Sequence, residues 1–289
     1  MTKKNLKIGL ALSGGGAKGF AHIGAIKELE KLGLSFYCLA GTSMGALVGA
    51  WYAAGKDFKI LEEIARKKQW RKFLSIRKVI GSVKDKGGLF SLDQFEAFLS
   101  KHLGQTEIED LGIKFCAVAT SLKTGKELRL SKGNLKKAVL ASSCLPIVFT
   151  PIENQGDLLV DGGIVNNFPV DACFEMGADI VIGVDVRSHH TEVERAISQE
   201  RYLLHWKIFQ VLNALMGMMG GEKDEKYQSI ENLIVIKPYV SHITTFEFGR
   251  VDEIEKLGQE AFDQKEKEIR GKLGLPPKQV NWWEKLLGE

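Results

Sequence analysis

A serine stands at a sharp corner that the sequence predicts between a strand and a helix. Ser43 lies within LAGTSMGALVGAW, residues 39–51, and is flanked by Gly41 and Gly45 in the pattern Gly-x-Ser-x-Gly. Such a corner thrusts a hydroxyl out of the backbone, and the glycines let strand and helix pack closely. A serine nucleophile also needs a base to take its proton and donors to hold the oxyanion that it creates. By itself the pattern is equally compatible with a tight turn that has no catalytic role.

A glycine-rich loop lies nearer the start of the chain. The stretch SGGGAKGFAHIG, residues 13–24, places Gly14, Gly15 and Gly16 between a predicted strand and the start of a helix. The first N–H groups of a helix have no partner within it, and the helix dipole favours negative charge there. We therefore expect an oxyanion hole in this loop, with Gly15 and Gly16 as donors, and Lys18 steadying the loop or adding positive potential.

The same loop must be weighed against two nucleotide-binding motifs. Residues 14–19 fit Gly-x-Gly-x-x-Gly, the dinucleotide fingerprint. That fold needs an acid at the end of the second strand to bind the ribose, and residues 40–43 supply none. A P-loop requires Lys and Ser or Thr after its last glycine, where this chain has Phe20 and Ala21. The missing residues disfavour both nucleotide sites.

The base for Ser43 is less obvious. No histidine has a distinctive setting; the six are His22, His102, His189, His190, His205 and His242. Two acids end apolar strands: Asp161, in LLVDGGIVNNFPV, and Asp185, in VIGVDV. The glycines after Asp161 would let a carboxylate approach the serine with little crowding. Sequence pattern alone does not separate a base from an end-of-strand cap at these two positions.

The predicted elements alternate in a way that indicates a parallel sheet. Strands over Lys7 to Leu12 and Phe36 to Ala40 are each followed by a helix, and further strands include IKFCAVATSL, DIVIGVDV and NLIVIKP. A β-α-β-α order implies parallel strands joined by right-handed crossovers. A long charged helix follows residue 250, and we find no repeat or linker, so a single domain is the expectation.

Composition narrows the class of protein. The chain has 289 residues, 44% of them apolar, and a net charge of only +4, so a general nucleic-acid binder is not indicated. We expect a cytoplasmic protein, because no run has the length of a signal-peptide core or a transmembrane helix. The cysteines are expected to be core thiols, since they are far apart and form no C-x-x-C; they are Cys38, Cys116, Cys144 and Cys173. We expect no metal either, because His189-His190 has no third ligand at a recognisable spacing.

Taken together, these motifs resemble the bacterial branch of the patatin-like phospholipase family. The three that match in order are the glycine loop of residues 14–19, the corner around Ser43, and the box Asp161-Gly162-Gly163. The patterns A-S-x-x-x-P at residues 141–146 and N-N-x-P at residues 166–169 also match. Lys18 stands where many relatives carry arginine. The resemblance covers about residues 6–270 and leaves residues 271–289 as a C-terminal tail.

The resemblance implies a three-layer α/β/α fold with a central, mostly parallel sheet and a Ser–Asp dyad without histidine. Ser43 would be the nucleophile and Asp161 the base, in preference to Asp185. The oxyanion hole would be formed by the loop of Gly14, Gly15 and Gly16, supported by Lys18, Gly19, Gly41, Gly45, Gly162 and Gly163. The implied reaction is hydrolysis of fatty-acyl ester bonds in lipids, of phospholipase A or lysophospholipase type, without cofactor or metal. The alternatives are a lipid acyltransferase and a non-catalytic regulator that binds a nucleotide or acyl ligand.

Two segments lie outside the shared pattern. Residues 66–86 hold nine cationic side chains against one carboxylate, a net charge of +8, which leaves −4 for the rest of the chain. Apolar residues including Trp70 and Phe73 are interleaved with them. A segment of this kind suits peripheral contact with an anionic membrane, although a solvated helix is an equal alternative. The tail carries Trp282-Trp283, for which the sequence predicts no definite role.

Overall fold

The computed structural model of the protein describes residues 6–67, 92–146, 148–187, 227 and 229–278. The strands are β1 Ile8–Leu12, β2 Cys38–Thr42, β3 Lys114–Ser121, β4 Glu127–Leu130, β5 Ile152–Asn154, β6 Asp157–Asp161, β7 Ile180–Val184 and β8 Leu233–Ile236. The helices are α1 Phe20–Lys31, α2 Met44–Ala53, α3 Lys59–Arg66, α4 Asp93–Leu103, α5 Leu135–Ser142, α6 Val170–Glu175 and α7 Val251–Leu273. The residues Trp70, Phe73, Trp282 and Trp283 lie outside the described residues.

One sheet organises the described part of the chain. Strands β3, β2, β1, β7 and β8 are neighbours in that order and all run parallel. Strands β6 and β5 extend the sheet beyond β3 in antiparallel fashion, and β4 also pairs antiparallel with β3. Helices cover both faces, so the predicted α/β/α fold with a mostly parallel sheet is confirmed. The second strand lies slightly later than predicted, because pairing with β1 and β3 continues through Gly41 and Thr42.

The burial of the central strands explains their composition. Every residue of β1, β2 and β7 is buried, as expected for strands covered by helices on both faces. Side chains alternate between the two faces: Leu10 and Leu12 of β1 belong to the larger apolar cluster, and Ala11 to the smaller cluster around α6. On the larger side, α1 crosses α7 where Gly24 and Gly258 allow backbone contact, and a Cβ on either would lie 2.0 Å from a carbonyl oxygen. This crossing anchors α1, the helix that follows the glycine loop.

The register of the sheet decides which strand ends lie at the same height. Thr42 of β2 is opposite Val118 of β3, and the next residue of β3, Ala119, is opposite Asp161 of β6. Asp161 therefore lies level with Ser43, with one strand between them. On the other side, β1 separates β2 from β7, after which Asp185 follows. Both candidate bases thus flank the serine strand at an equal strand separation.

Candidate active site

The Ser43 corner has the strained backbone that its sequence pattern predicts. Ser43 joins β2 to α2 with φ 54° and ψ −120°, a region that residues other than glycine rarely adopt. A Cβ on Gly45 would lie 2.3 Å from the carbonyl oxygen of Leu12, and one on Gly41 would lie 2.4 Å from that of Gly45. The Ser43 N–H donates to Oγ of Ser142 at 2.9 Å. The corner is thus held from strand β1 and from α5, and the serine stands partly exposed at the N-terminus of α2.

Asp161 ends β6 in a fully buried position. Its Oδ1 accepts a hydrogen bond from the Gly163 N–H at 2.8 Å, and its own N–H donates to the carbonyl of Cys144 at 2.7 Å. Gly162 must lack a side chain, because a Cβ there would lie 2.3 Å from the Val118 carbonyl oxygen. The glycines after Asp161 therefore serve close packing and carboxylate binding together, which fixes the direction of the carboxylate.

The electrostatic setting of Asp161 suits a proton acceptor. Burial raises the pKa of its carboxyl to about 6, against smaller opposing effects of the Ser43 hydroxyl and the Gly163 N–H. The hydroxyl of Ser43 favours the ionised carboxylate without completing a hydrogen bond of normal distance and angle. Accordingly, Oδ2 has no hydrogen-bond partner among the described residues. The Ser43 hydroxyl and the Asp161 carboxylate are thus neighbours without a complete hydrogen bond between them.

Asp185, the other strand-end acid, is engaged elsewhere. Its two oxygens accept from Nε and Nη2 of Arg187 at 2.8 and 2.9 Å, and the Arg187 N–H adds a bond at 3.0 Å. Burial raises the pKa of Asp185, but the hydrogen bonds and charge of Arg187 outweigh burial and hold it below its usual value. The Arg187 guanidinium also lies over the ring of Phe168, 5.1 Å from its centre. This carboxylate is committed to an ion pair.

Four consecutive N–H groups of the glycine loop differ in their hydrogen bonding: the outer two donate within the described part of the protein, and the inner two do not. The Gly14 N–H donates to the backbone oxygen and to Oδ1 of Asn167, at 3.0 and 3.1 Å. The Ala17 N–H donates to the carbonyl of Thr245 at 2.8 Å. Among the described residues, the N–H groups of Gly15 and Gly16 have no such acceptor. Of the three glycines that the resemblance assigns to the oxyanion hole, Gly14 is thus occupied in holding the loop.

The glycines of this loop are required by close contacts. Gly16 has φ 57°, and a Cβ there would lie 2.3 Å from Cγ2 of Thr245. A Cβ on Gly19 would lie 2.3 Å from Cγ of Met44, the residue after Ser43. Lys18 lies on the 3-10 turn Gly16–Gly19 and is buried. The loop and the serine corner are therefore packed against each other.

An apolar cavity opens beside Ser43. Its enclosed volume is about 130 Å³, and it is open to solvent on one side. Its walls come from the glycine loop, α1 to α4, the segment after α5 and the segment before α7. The lining residues that matter below are Phe20, Ser43, Phe95, Thr245, Phe246 and Phe248. A long apolar group bound here would end at the serine hydroxyl.

The histidines that the structure describes lie in other settings. His22 is buried, and its Nε2 donates to the carbonyl of Ser13 at 2.8 Å; burial lowers its pKa to about 4, so the ring is neutral. His102 packs against Trp51 and Phe98, and His242 contacts Glu253. His189, His190 and His205 lie outside the described residues. Within the described ranges, no group of three His, Cys, Asp or Glu is placed to hold a metal, and the expectation of a metal-free enzyme stays a prediction.

Several contributors to this site were not foreseen from sequence. Ser142 binds the backbone of Ser43, and Asn167 binds that of Gly14. Ser142 lies within the A-S-x-x-x-P pattern and Asn167 within the N-N-x-P pattern. Neither pattern by itself indicates which backbone group its residue binds. The cavity walls had no sequence signal at all, because ordinary apolar residues from distant segments combine to form them.

Comparison with known proteins places the chain in a family. The model of the patatin-like phospholipase family matches residues 10–174, which include the glycine loop, Ser43 and Asp161. The chain belongs to the patatin-like phospholipase family. That assignment confirms the resemblance stated from the motifs. The predicted domain limits at residues 6 and 270 are wider than the match and stay a prediction.

The known proteins to which this chain is compared are longer than the chain. The chain is 27% identical to lysophospholipase nte1 of Aspergillus fumigatus over 285 residues, which are 93% of this chain and 19% of that protein. It is 36% identical over 183 residues to an uncharacterized NTE family protein of Mycobacterium tuberculosis, covering 62% of this chain and 49% of the other. Among solved structures, VipD from Legionella pneumophila matches with TM-score 0.48 and 18% identity, over 90% of this chain and 67% of that one. The chain thus spans about a fifth of the fungal relative and about half of the mycobacterial one.

Proposed function

We propose that this patatin-like chain is a serine esterase that hydrolyses fatty-acyl ester bonds of lipids, of phospholipase A or lysophospholipase type. The observation that carries the proposal is the convergence of three features at one point. A strained serine, an apolar cavity and a buried carboxylate that has no cationic partner in the described part of the chain meet at Ser43. The names of the fungal relatives, lysophospholipases, support the same class of substrate.

The proposed reaction begins with attack by Ser43 on the acyl carbon. Asp161 takes the hydroxyl proton as the Oγ–carbon bond forms, and the carbonyl oxygen becomes an oxyanion held by the N–H groups of Gly15 and Gly16. The ester bond then breaks, and Asp161 returns the proton to the departing alcohol, leaving an acyl-serine. Water attacks this acyl group with Asp161 again as base, and the fatty acid is released with Ser43 restored.

The cavity gives the proposal its preference for lipids. Its lining is dominated by leucine, isoleucine, methionine and phenylalanine side chains, so it would bury an acyl chain while leaving the ester at the serine. Burying each methylene contributes about 0.8 kcal/mol, which favours long acyl groups over short ones. The headgroup would lie toward the mouth, near the partly exposed face of Ser43.

Covalent labelling tests this function against its alternatives. A fluorophosphonate reporter should label the protein in a stoichiometric and Ser43-dependent way, and profiling with phospholipids and lysophospholipids should yield free fatty acid. Absence of labelling in a folded protein would favour a binding protein without turnover. Transfer of the labelled acyl group to an added lipid alcohol, rather than to water, would instead indicate an acyltransferase.

We further propose peripheral contact with anionic membranes through residues 66–86, most of which lie outside the described residues. The two cations that the structure does describe are already paired. Arg66 binds Glu62 and Asp252, and Lys67 binds Glu63. Attraction to lipid would therefore come from the seven cations between residues 68 and 86, each contributing about 1 kcal/mol near an anionic surface at modest salt.

Vesicle flotation tests the membrane contact. Replacement of Arg71, Lys72, Arg77 and Lys78 with glutamate should strongly reduce binding to phosphatidylserine-containing vesicles at low salt. Hydrolysis of a small soluble ester by the same variant reports whether the active site is still folded. If the wild-type protein does not float with such vesicles even at low salt, the proposed membrane contact is refuted and the segment is a solvated surface segment.

A further inference from the structure

We propose that residues 243–248, here called the strap, position the oxyanion loop and link occupation of the acyl cavity to the catalytic rate. The strap lies between β8 and α7, beyond the residues that match the family model. This inference rests on the proposed esterase function. It gives the strap, which carries no sequence motif, a role in the chemical step.

The strap holds the glycine loop by one hydrogen bond and one close contact. The carbonyl of Thr245 accepts from the Ala17 N–H at 2.8 Å. Next to it, the left-handed Gly16 packs so tightly that a Cβ would lie 2.5 Å from the Thr245 oxygen. Gly16, whose N–H is one of the two proposed oxyanion donors, is therefore held in place by Thr245.

The same strap forms part of the acyl cavity. Thr245, Phe246 and Phe248 all line it, together with Ser43. The ring of Phe248 also meets Phe20, the first residue of α1, edge-on at 6.2 Å between ring centres. The strap thus contacts the loop from one side through Thr245 and from the other through the start of the helix that follows it.

The strap is braced so that it would move as a unit. Ile243 at its start is buried, and the Thr244 N–H donates to the carboxylate of Glu247 at 2.6 Å. Arg250, just beyond it, pairs with Glu247 and Glu253. An acyl chain packed on Phe246 and Phe248 would therefore keep Thr245 in its place against the glycine loop, whereas a short acyl group would leave these rings uncovered and the strap less restrained.

The consequence is that acyl length should affect kcat as well as KM. A cavity that only binds the chain would lower KM for long esters and leave kcat unchanged. A strap that orients an oxyanion donor would also raise kcat, because misplaced donors lose transition-state stabilisation. The effect of disturbing the strap should be on the order of tenfold, smaller than the 10²–10³ of a deleted donor.

The test compares kcat for the acetyl and octanoyl esters of p-nitrophenol, with active sites counted by fluorophosphonate labelling. Wild-type enzyme should have a higher kcat for the octanoyl ester. Phe248→Ala should reduce the octanoyl-to-acetyl ratio of kcat by roughly tenfold. Phe248→Leu, which retains more apolar volume but lacks the ring edge against Phe20, should reduce it less and guards against misfolding of the alanine variant.

Phe95→Ala is the matched control, because Phe95 lines the same cavity from α4 and not from the strap. It should raise KM for the octanoyl ester while the ratio of kcat stays within about twofold of wild type. The proposal is overturned if wild-type kcat is independent of acyl length, or if Phe248→Ala changes only KM as Phe95→Ala does. Failure of fluorophosphonate labelling would instead refute the esterase function itself.

Discussion

Asp161 and Asp185 occupy matching backbone positions and differ in what surrounds their side chains. Each follows or ends a strand of the sheet, each is buried, and each strand is separated from the serine strand by one neighbour. Asp161 has the N–H of Gly163 and the hydroxyl of Ser43 near it, and burial raises its pKa to about 6. Asp185 has a guanidinium two residues away, which holds its pKa low.

The difference separates two kinds of buried carboxylate. A buried carboxylate that meets a cation is a stable ion pair with little tendency to accept a proton. A buried carboxylate with hydrogen-bond donors but no cation is ionised near neutral pH at an energetic cost, and proton uptake relieves that cost. Asp185 is paired with Arg187, whereas Asp161 has no cationic partner among the described residues, and this separates their electrostatic settings.

Removal of the Ser43 hydroxyl should have the largest effect. Ser43→Ala should lower kcat/KM for a p-nitrophenyl ester by more than about 10⁴-fold, because it deletes the group on which Asp161 is proposed to act. Folding should be almost unchanged, since only one partly exposed oxygen is lost. Circular dichroism would serve as the control for fold, and near-normal turnover by the folded variant would refute the assignment of the nucleophile.

Neutralising each aspartate in turn tests the comparison directly. Asp161→Asn should lower kcat by about 10²–10⁴, the usual contribution of a positioned base, because an amide cannot take the Ser43 proton. Asp185→Asn preserves shape to the same degree and should lower kcat far less in the fraction that remains folded. Active-site titration supplies that folded fraction. The opposite ranking of the two variants would reverse the assignment of the base.

The pH profile sharpens the comparison further. The proposed base, Asp161, must be ionised to act, so kcat/KM should be nearly constant above pH 7 and fall about tenfold per unit below about pH 6. Asp185 titrates below its usual range and should not contribute to this step. Asp185→Asn should therefore retain the same acidic limb. A limb shifted by more than about one unit in that variant would show that the two carboxylates are coupled.

Asp161→Asn should raise the thermal stability of the protein, and Asp185→Asn should lower it. The folded protein holds the Asp161 proton more tightly than the unfolded chain, so ionisation there costs up to about 3 kcal/mol at neutral pH, and Asp161→Asn should raise Tm by a few degrees. That gain should vanish as the pH falls below about 4, where the wild-type carboxyl is protonated in both states. Asp185 instead stabilises the fold above its unfolded pKa, and this contribution is lost as the pH falls.

Asp185→Asn should change the stability of the protein more than Asp161→Asn does. Asp185→Asn leaves Arg187 with a side chain only 14% exposed and without its carboxylate, at a cost of about 3–5 kcal/mol. Melts of both variants beside wild type at neutral pH would measure the two signs. Equal destabilisation by both substitutions would indicate that Asp161 is a structural carboxylate like Asp185.

The sequence by itself determined the features that depend on local backbone chemistry. Apolar runs fixed the central strands, and the glycines around Ser43 and after Asp161 fixed corners where a Cβ would meet a neighbouring carbonyl. Their order along the chain was enough to assign the family. Such features could be predicted because the conformational freedom of glycine and the burial of a strand are readable from neighbouring residues.

Only the tertiary structure decided which groups these features meet. The register across β3 brings Asp161 level with Ser43, and the fold brings Asn167 and Thr245 to the two ends of the glycine loop. The cavity combines side chains from segments that are far apart in sequence. Desolvation, hydrogen bonding and packing depend on what long-range folding places within a few ångströms, and local pattern carries no record of those distances.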